Sequence, residues 1–142
     1  MDGVDNIIEC AIDYAEERQH EYVTIEHLMI CLLEHPEIAD IVDNITGDRE
    51  VAISDLRNYL DDKQFNGLVG ETPWDGKPKK TTSVERVMQR AFAQVIFSAR
   101  DQINPVDIFV SILSEDKSHA QYYCELNGIN RLAVVEYITK HF

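Results

Sequence analysis

Apolar residues recur at helical spacing along most of this chain. Val4, Ile7, Ile8, Ala11, Ile12 and Ala15 follow i, i+3, i+4 steps and predict a first helix over about Asp2 to Gln19. Thr24 is a good N-cap for a second helix, with Glu26 favourable near its positive end. That helix stops before Pro36, since the residue before proline avoids the helical region. Pro36 suits the first turn of a short third helix that ends around Asn44. Val51, Ile53, Leu56 and Leu60 mark a fourth, roughly Asp48 to Asp61. Thr82 with Glu85 fits a capping box for a helix from Ser83 to about Ala99. Its apolar face is Val84, Val87, Met88, Ala91, Val95 and Ile96. Asn104 as N-cap and Pro105 at the first helical position begin the next. A short helix over Ser118 to Leu126 ends at Gly128, and Leu132, Val135 and Ile138 drive a last one over about Asn130 to His141. No segment has sustained strand alternation, so the expectation is an all-α fold of eight helices.

One stretch occurs twice. Val23 to Leu33, VTIEHLMICLL, returns as Ile103 to Leu113, INPVDIFVSIL. Each copy opens on a small polar residue, Thr24 or Asn104, and has an acid just inside, Glu26 or Asp107. Apolar positions then match: Leu28 with Ile108, Met29 with Phe109, Ile30 with Val110, Leu32 with Ile112 and Leu33 with Leu113. A repeat of this span predicts two pseudo-symmetric four-helix units around a shared interior. The expected division is repeat one over about 2–61, a connecting loop over 62–81 and repeat two over about 82–141, all in one domain of 142 residues. The loop has three glycines, two prolines and no sustained period. It holds Trp74, which is expected to fold back onto the domain rather than anchor a partner. Tyr14, Tyr122, Tyr123, Phe92, Phe97 and Phe109 lie at helical spacings and are expected to be core or half-buried.

Charge breaks the symmetry between the copies. The net charge is −13, which argues against nucleic acid as a partner. Residues 1–62 hold 17 of the 26 acids but only 3 of the 13 bases, so the second copy is nearly neutral. Arg86, Arg90, Arg100 and Arg131 thus form a candidate basic site suited to a partner's carboxylates, against the alternatives of solvated charges or internal salt bridges. The absence of a long apolar run and the acidic start point to a chain that neither spans a membrane nor begins with a signal peptide, and a cytoplasmic location is expected. Cys10, Cys31 and Cys124 are odd in number and lie within apolar patterns, which predicts three buried free thiols.

Catalytic chemistry finds little support. His20, Glu21, Glu26 and His27 form the one cluster with metal-binding residue types. The two histidines are seven apart across a predicted turn, so the HExxH arrangement of zinc hydrolases is absent and structural roles are expected. Gly70 to Lys77, GETPWDGK, has five residues between its glycines and Pro78 where a phosphate loop needs Ser or Thr. No cofactor is expected.

The first-copy T-I-E-H-L-M-I-C-L-L, the second-copy V-E-R-V-M-Q-R-A-F and the closing N-R-L-A-V-V-E-Y-I together resemble the N-terminal domain of the Clp unfoldase ATPases, and look most like the ClpA type. The resemblance covers essentially the whole chain. It implies a small helical module, not an enzyme, that binds adaptor proteins and some substrates for the ATPase ring. The adaptor it implies is ClpS, which serves proteins with destabilising N-terminal residues. The family's adaptor-contacting positions match here as Glu21, Glu26, Thr81, Arg86, Arg90 and Arg131, all with residue type retained. Monomeric behaviour is expected of such an isolated domain. Two features depart from the family: the sequence has no GxxxxGK[ST], and residues 34–62 are unusually acidic. Two rival functions therefore stand beside adaptor docking. One is a stand-alone decoy or regulator of adaptor-mediated proteolysis. The other is a metal-dependent enzyme using His20, Glu26 and His27.

Overall fold

Most of the helices begin where a short polar side chain satisfies free backbone donors. In the computed structural model, which describes residues 3–62 and 76–141, Thr24, Asp48, Thr81, Asn104 and Ser118 are all N-caps. The elements are α1 (Gly3–Glu17), β1 (Tyr22–Val23), α2 (Ile25–Glu34), α3 (Pro36–Asn44), α4 (Arg49–Asp61), β2 (Lys79–Lys80), α5 (Thr82–Phe97), α6 (Pro105–Leu113), α7 (His119–Leu126) and α8 (Arg131–His141). Eight helices are thus present among the described residues, as the periodicity predicts. Trp74 and most of the 62–81 segment, including all of GETPWDGK but Gly76 and Lys77, lie outside the described residues.

The helices pack as equivalent pairs in the two copies. α1 packs on α2 as α5 packs on α6, and α2 and α6 touch each other at the centre. α2 is buried at nine of its ten positions, so it must have neighbours all round. It has them: α1, α3, α4, α5, α6 and α7. Phe109, Ile108 and Ile112 of α6 join Leu28, Met29, Ile30 and Leu32 of α2 in one continuous core.

The copies also share backbone detail. Gln19 and Ala99 both take left-handed φ, 57° and 56°. Directly after them His20 N–H donates to Ala15 O at 2.9 Å, and Arg100 N–H to Val95 O at 3.0 Å. Both are Schellman closures, made without the usual glycine. At the far ends of the copies Gly128, with φ of 81°, terminates α7 as predicted. Its turn abuts the one at Gly47, where Asp48 N–H donates to Asn127 O at 2.8 Å.

Several expectations are corrected. Tyr22–Val23 and Lys79–Lys80 form a two-residue parallel bridge. Segments this short carry no alternation to read. Thr81, not Thr82, caps α5: its Oγ accepts from Val84 N–H at 3.2 Å. Ile96 and Phe97 are exposed, at 74% and 85%, and Phe92 and Tyr122 are about half exposed. The buried stripe of α5 is Val84, Val87, Ala91 and Val95, and at ~100° per residue Ile96 and Phe97 turn progressively away from it. Finally, Cys10 and Cys31 are not free thiols. They form a disulfide between α1 and α2, with Cα atoms 6.1 Å apart. Their 21-residue separation places them on two helices that only tertiary packing makes adjacent. Cys124 is free and buried, and burial pushes its thiol up to about 12.

Candidate functional site

The start of the second helix in each copy is built alike but with different chemistry. In the first, Thr24 N–H donates to His27 Nδ1 at 2.9 Å. In the second, Asn104 N–H donates to Asp107 Oδ2 at 2.9 Å. Asp107 therefore corresponds to His27, as the match of Leu28 with Ile108 implies, and Glu26 has Val106 as its counterpart. Each capping side chain then meets the residue that closes the preceding helix. His27 Nε2 lies 3.0 Å from His20 Nδ1, and Asp107 Oδ1 accepts from Arg100 Nη2 at 2.6 Å. One copy holds a buried histidine pair where the other holds an ion pair.

The protonation of the histidine pair follows from its donors. A backbone N–H can only donate, so His27 Nδ1 accepts and its proton lies on Nε2, facing His20 Nδ1. Burial is the main cause that lowers the His27 pKa from 6.5 to about 3, with the charges of His20 and Arg18 adding to it. Both His27 nitrogens are thus occupied. Glu26 turns elsewhere, and its Oε2 accepts from Ala120 N–H, at the start of α7, at 2.9 Å. His20, Glu26 and His27 do not converge on one point. Among the described residues no group of three or more His, Cys, Asp or Glu side chains is placed to hold a metal.

The six resemblance-implied positions fall into three places. Glu26, Thr81 and Arg86 line one polar depression of about 350 Å3, with Ser83, Asp116 and Lys117. The N-terminal ends of α2, α5 and α7 meet there, because the β1–β2 bridge lays Thr81 beside Val23: Thr81 N–H donates to Val23 O at 3.2 Å. Arg90 and Arg131 line a second cleft of about 630 Å3, between α5, α6 and α8. Glu21 stands at the β1 edge, 3.4 Å from Lys79 Nζ.

Arg86 and Arg90, one turn apart, share one internal carboxylate. Arg86 Nε donates to Glu115 Oε1 at 2.8 Å, and Arg90 Nη2 to Glu115 Oε2 at 2.9 Å. Arg90 also donates to Ser111 O at 2.9 Å. Glu115 is only 8% exposed. Its carboxyl is held below the usual range, chiefly by the Arg86 hydrogen bond, with Arg90 adding to it against the opposing effect of burial. Three of the four arginines of the candidate basic site thus take the internal salt-bridge alternative: Arg86 and Arg90 with Glu115, and Arg100 with Asp107. Glu115 escaped the sequence analysis, since nothing local marks it. It lies 25 residues from Arg90 and 29 from Arg86.

A different surface lies between α1 and α5. Val4, Ile8, Ile12, Met88 and Phe92 wall a mainly apolar groove of about 580 Å3, with Val23 and Leu28 among its lining. No helix among the described residues is long and apolar enough to cross a membrane.

Residues 2–126 match the Clp repeat (R) N-terminal domain family. A ClpA homolog protein of Fuscovulum blasticum is 27% identical over 135 residues, which is 95% of this chain and 17% of that protein. The chain thus spans under a fifth of that relative's length. Among solved structures, the Hsp104 N-terminal domain from Candida albicans superposes with a TM-score of 0.79 at 12% identity, covering 95% of this chain and 88% of the other. A ClpV N-domain in complex with a VipB peptide superposes with a TM-score of 0.66 at 17% identity, covering 94% and 80%. At these identities the structural likeness is one of fold.

Proposed function

Because the chain belongs to the Clp repeat N-terminal domain family, we propose that it is the docking module of a Clp-type unfoldase, binds a ClpS-type adaptor and so helps deliver substrates for ATP-dependent proteolysis. On this reading residues 1–142 form one domain, with repeats at about 2–61 and 82–141 joined by 62–81, and it works in the cytoplasm. The supporting observation is the depression that gathers Glu26, Thr81 and Arg86 from elements far apart in sequence. Its mixed charges favour orientation and selectivity over raw affinity. The ClpV N-domain with a bound VipB peptide is a fold relative that takes a protein segment, and this supports the same class of role.

Titration calorimetry against ClpS tests it. Wild type is expected to bind, and Arg86→Ala to bind about tenfold more weakly with its fold intact, since Arg90 still holds Glu115. Glu26→Ala is a poor probe of binding, since it also frees a buried donor at α7. Absence of wild-type binding would remove the adaptor assignment. The decoy alternative has the same surface; a reading frame that continues into a GxxxxGK[ST] ATPase would eliminate it.

A further inference from the structure

The disulfide joins two helices in an unequal way. Cys31 is 3% exposed within the core, whereas Cys10 is an exposed residue on the outer face of α1. The fully buried stripe of α1 is Val4, Ile7, Ala11 and Ala15, two of them alanines with little side chain to bury, and Ile8, Ile12 and Tyr14 pack only partly buried against the core. The same helix presents Ile8 and Ile12 to the apolar groove opposite Met88 and Phe92. The crosslink therefore ties α1 to the core beside a surface that depends on where α1 lies.

We propose that Cys10–Cys31 is a redox-sensitive staple: a dithiol opens it in the folded protein, and opening loosens α1 and the groove wall that α1 forms. The chemistry is thiol–disulfide exchange. A reductant thiolate attacks the exposed Cys10 sulfur, forming a mixed disulfide and expelling the Cys31 thiolate, which takes up a proton. The reductant's second thiolate then displaces Cys10 as a thiolate, which is protonated in turn. The protein gains two thiol hydrogens and the dithiol ends as its own disulfide. Glu9 and Asp13 flank Cys10 on the exposed face of α1, so neutral reductants are expected to act faster than anionic ones of equal thiol pKa. Cys124 is an internal control, being fully buried with its thiol raised to about 12.

The test uses the whole chain, air-oxidised, treated under native conditions with dithiothreitol and then iodoacetamide, with mass spectrometry of the alkylated sites. Cys10 is expected to be alkylated well before Cys124. Amide exchange in α1 is expected to rise at least about tenfold on reduction, with α6 unchanged. The melting temperature is expected to fall by about 10 °C, from the entropy of a loop of this length. Cys10→Ser should behave as reduced wild type and ignore dithiothreitol. Three free thiols in the air-oxidised protein would overturn the proposal. So would alkylation of Cys10 no faster than Cys124, or an α1 equally protected in the oxidised and reduced forms. None of these readings involves an adaptor, so the outcome is independent of what the domain docks.

Discussion

The buried histidine pair makes stability depend on pH in a direction that can be worked out. Folding lowers the His27 pKa from 6.5 to about 3, because the neutral ring is enclosed and its Nδ1 is occupied by Thr24 N–H. The unfolded chain then binds a proton that the folded chain refuses. That contribution is fully present above pH 6.5 and is lost as pH falls toward 3. Each unit of pH within this window removes about 1.4 kcal/mol, so acidification from pH 7.5 to 4.5 removes about 2.7 kcal/mol through this one residue. Other groups respond as well; relief of repulsion in a chain of net charge −13 acts in the opposite sense. The informative quantity is therefore a difference against a variant that keeps the geometry without titrating. His27→Gln serves, since its Oε1 accepts from Thr24 N–H and its Nε2 donates toward His20. Urea unfolding followed by far-ultraviolet circular dichroism at both pH values measures it. Wild type is expected to lose about 2–3 kcal/mol more than His27→Gln between the two. Equal losses would mean that His27 does not resist protonation in the fold, and the argument from its burial and donors would fail.

Two further substitutions probe long-range contacts. Glu115→Gln removes the carboxylate shared by the two arginines and is expected to cost about 1–2 kcal/mol in urea unfolding, reduced from a fully buried pair because both arginines reach solvent. An unchanged midpoint would show that water replaces the clamp. Gly47→Ala would place a methyl 2.7 Å from Ile129 Cγ1 and 3.0 Å from Val42 Cγ1, where the turns of the two copies meet. Overpacking there is expected to cost about 1–3 kcal/mol, and a variant as stable as wild type would show that the contact yields freely.

The helices were legible in the sequence because their signals are local. A cap, a proline at the first position and a 3.6-residue apolar period each need only a few neighbouring residues, and each of the eight segments carries at least one of them. The repeat was legible for the same reason: Thr24 and Asn104 open the copies alike. The same alignment, with Leu28 opposite Ile108, sets His27 opposite Asp107. Only the hydrogen bonds show that these unlike side chains have the same role, each accepting from the N–H of its cap residue. The six candidate site residues could be named but not grouped. Their grouping depends on a two-residue bridge between Tyr22–Val23 and Lys79–Lys80 too short to leave a pattern.

By itself the sequence determined where helices begin and end, that there are two copies, which faces are apolar and how charge divides between the halves. Packing alone decided what those parts meet. It put Glu26 on the α7 terminus 94 residues away, gave Arg86 and Arg90 a common carboxylate, and brought Cys10 to Cys31. The physical reason is range. Caps and periodicity act within one or two turns of chain, whereas a carboxylate or a thiol takes its partner from whatever the core has carried to it.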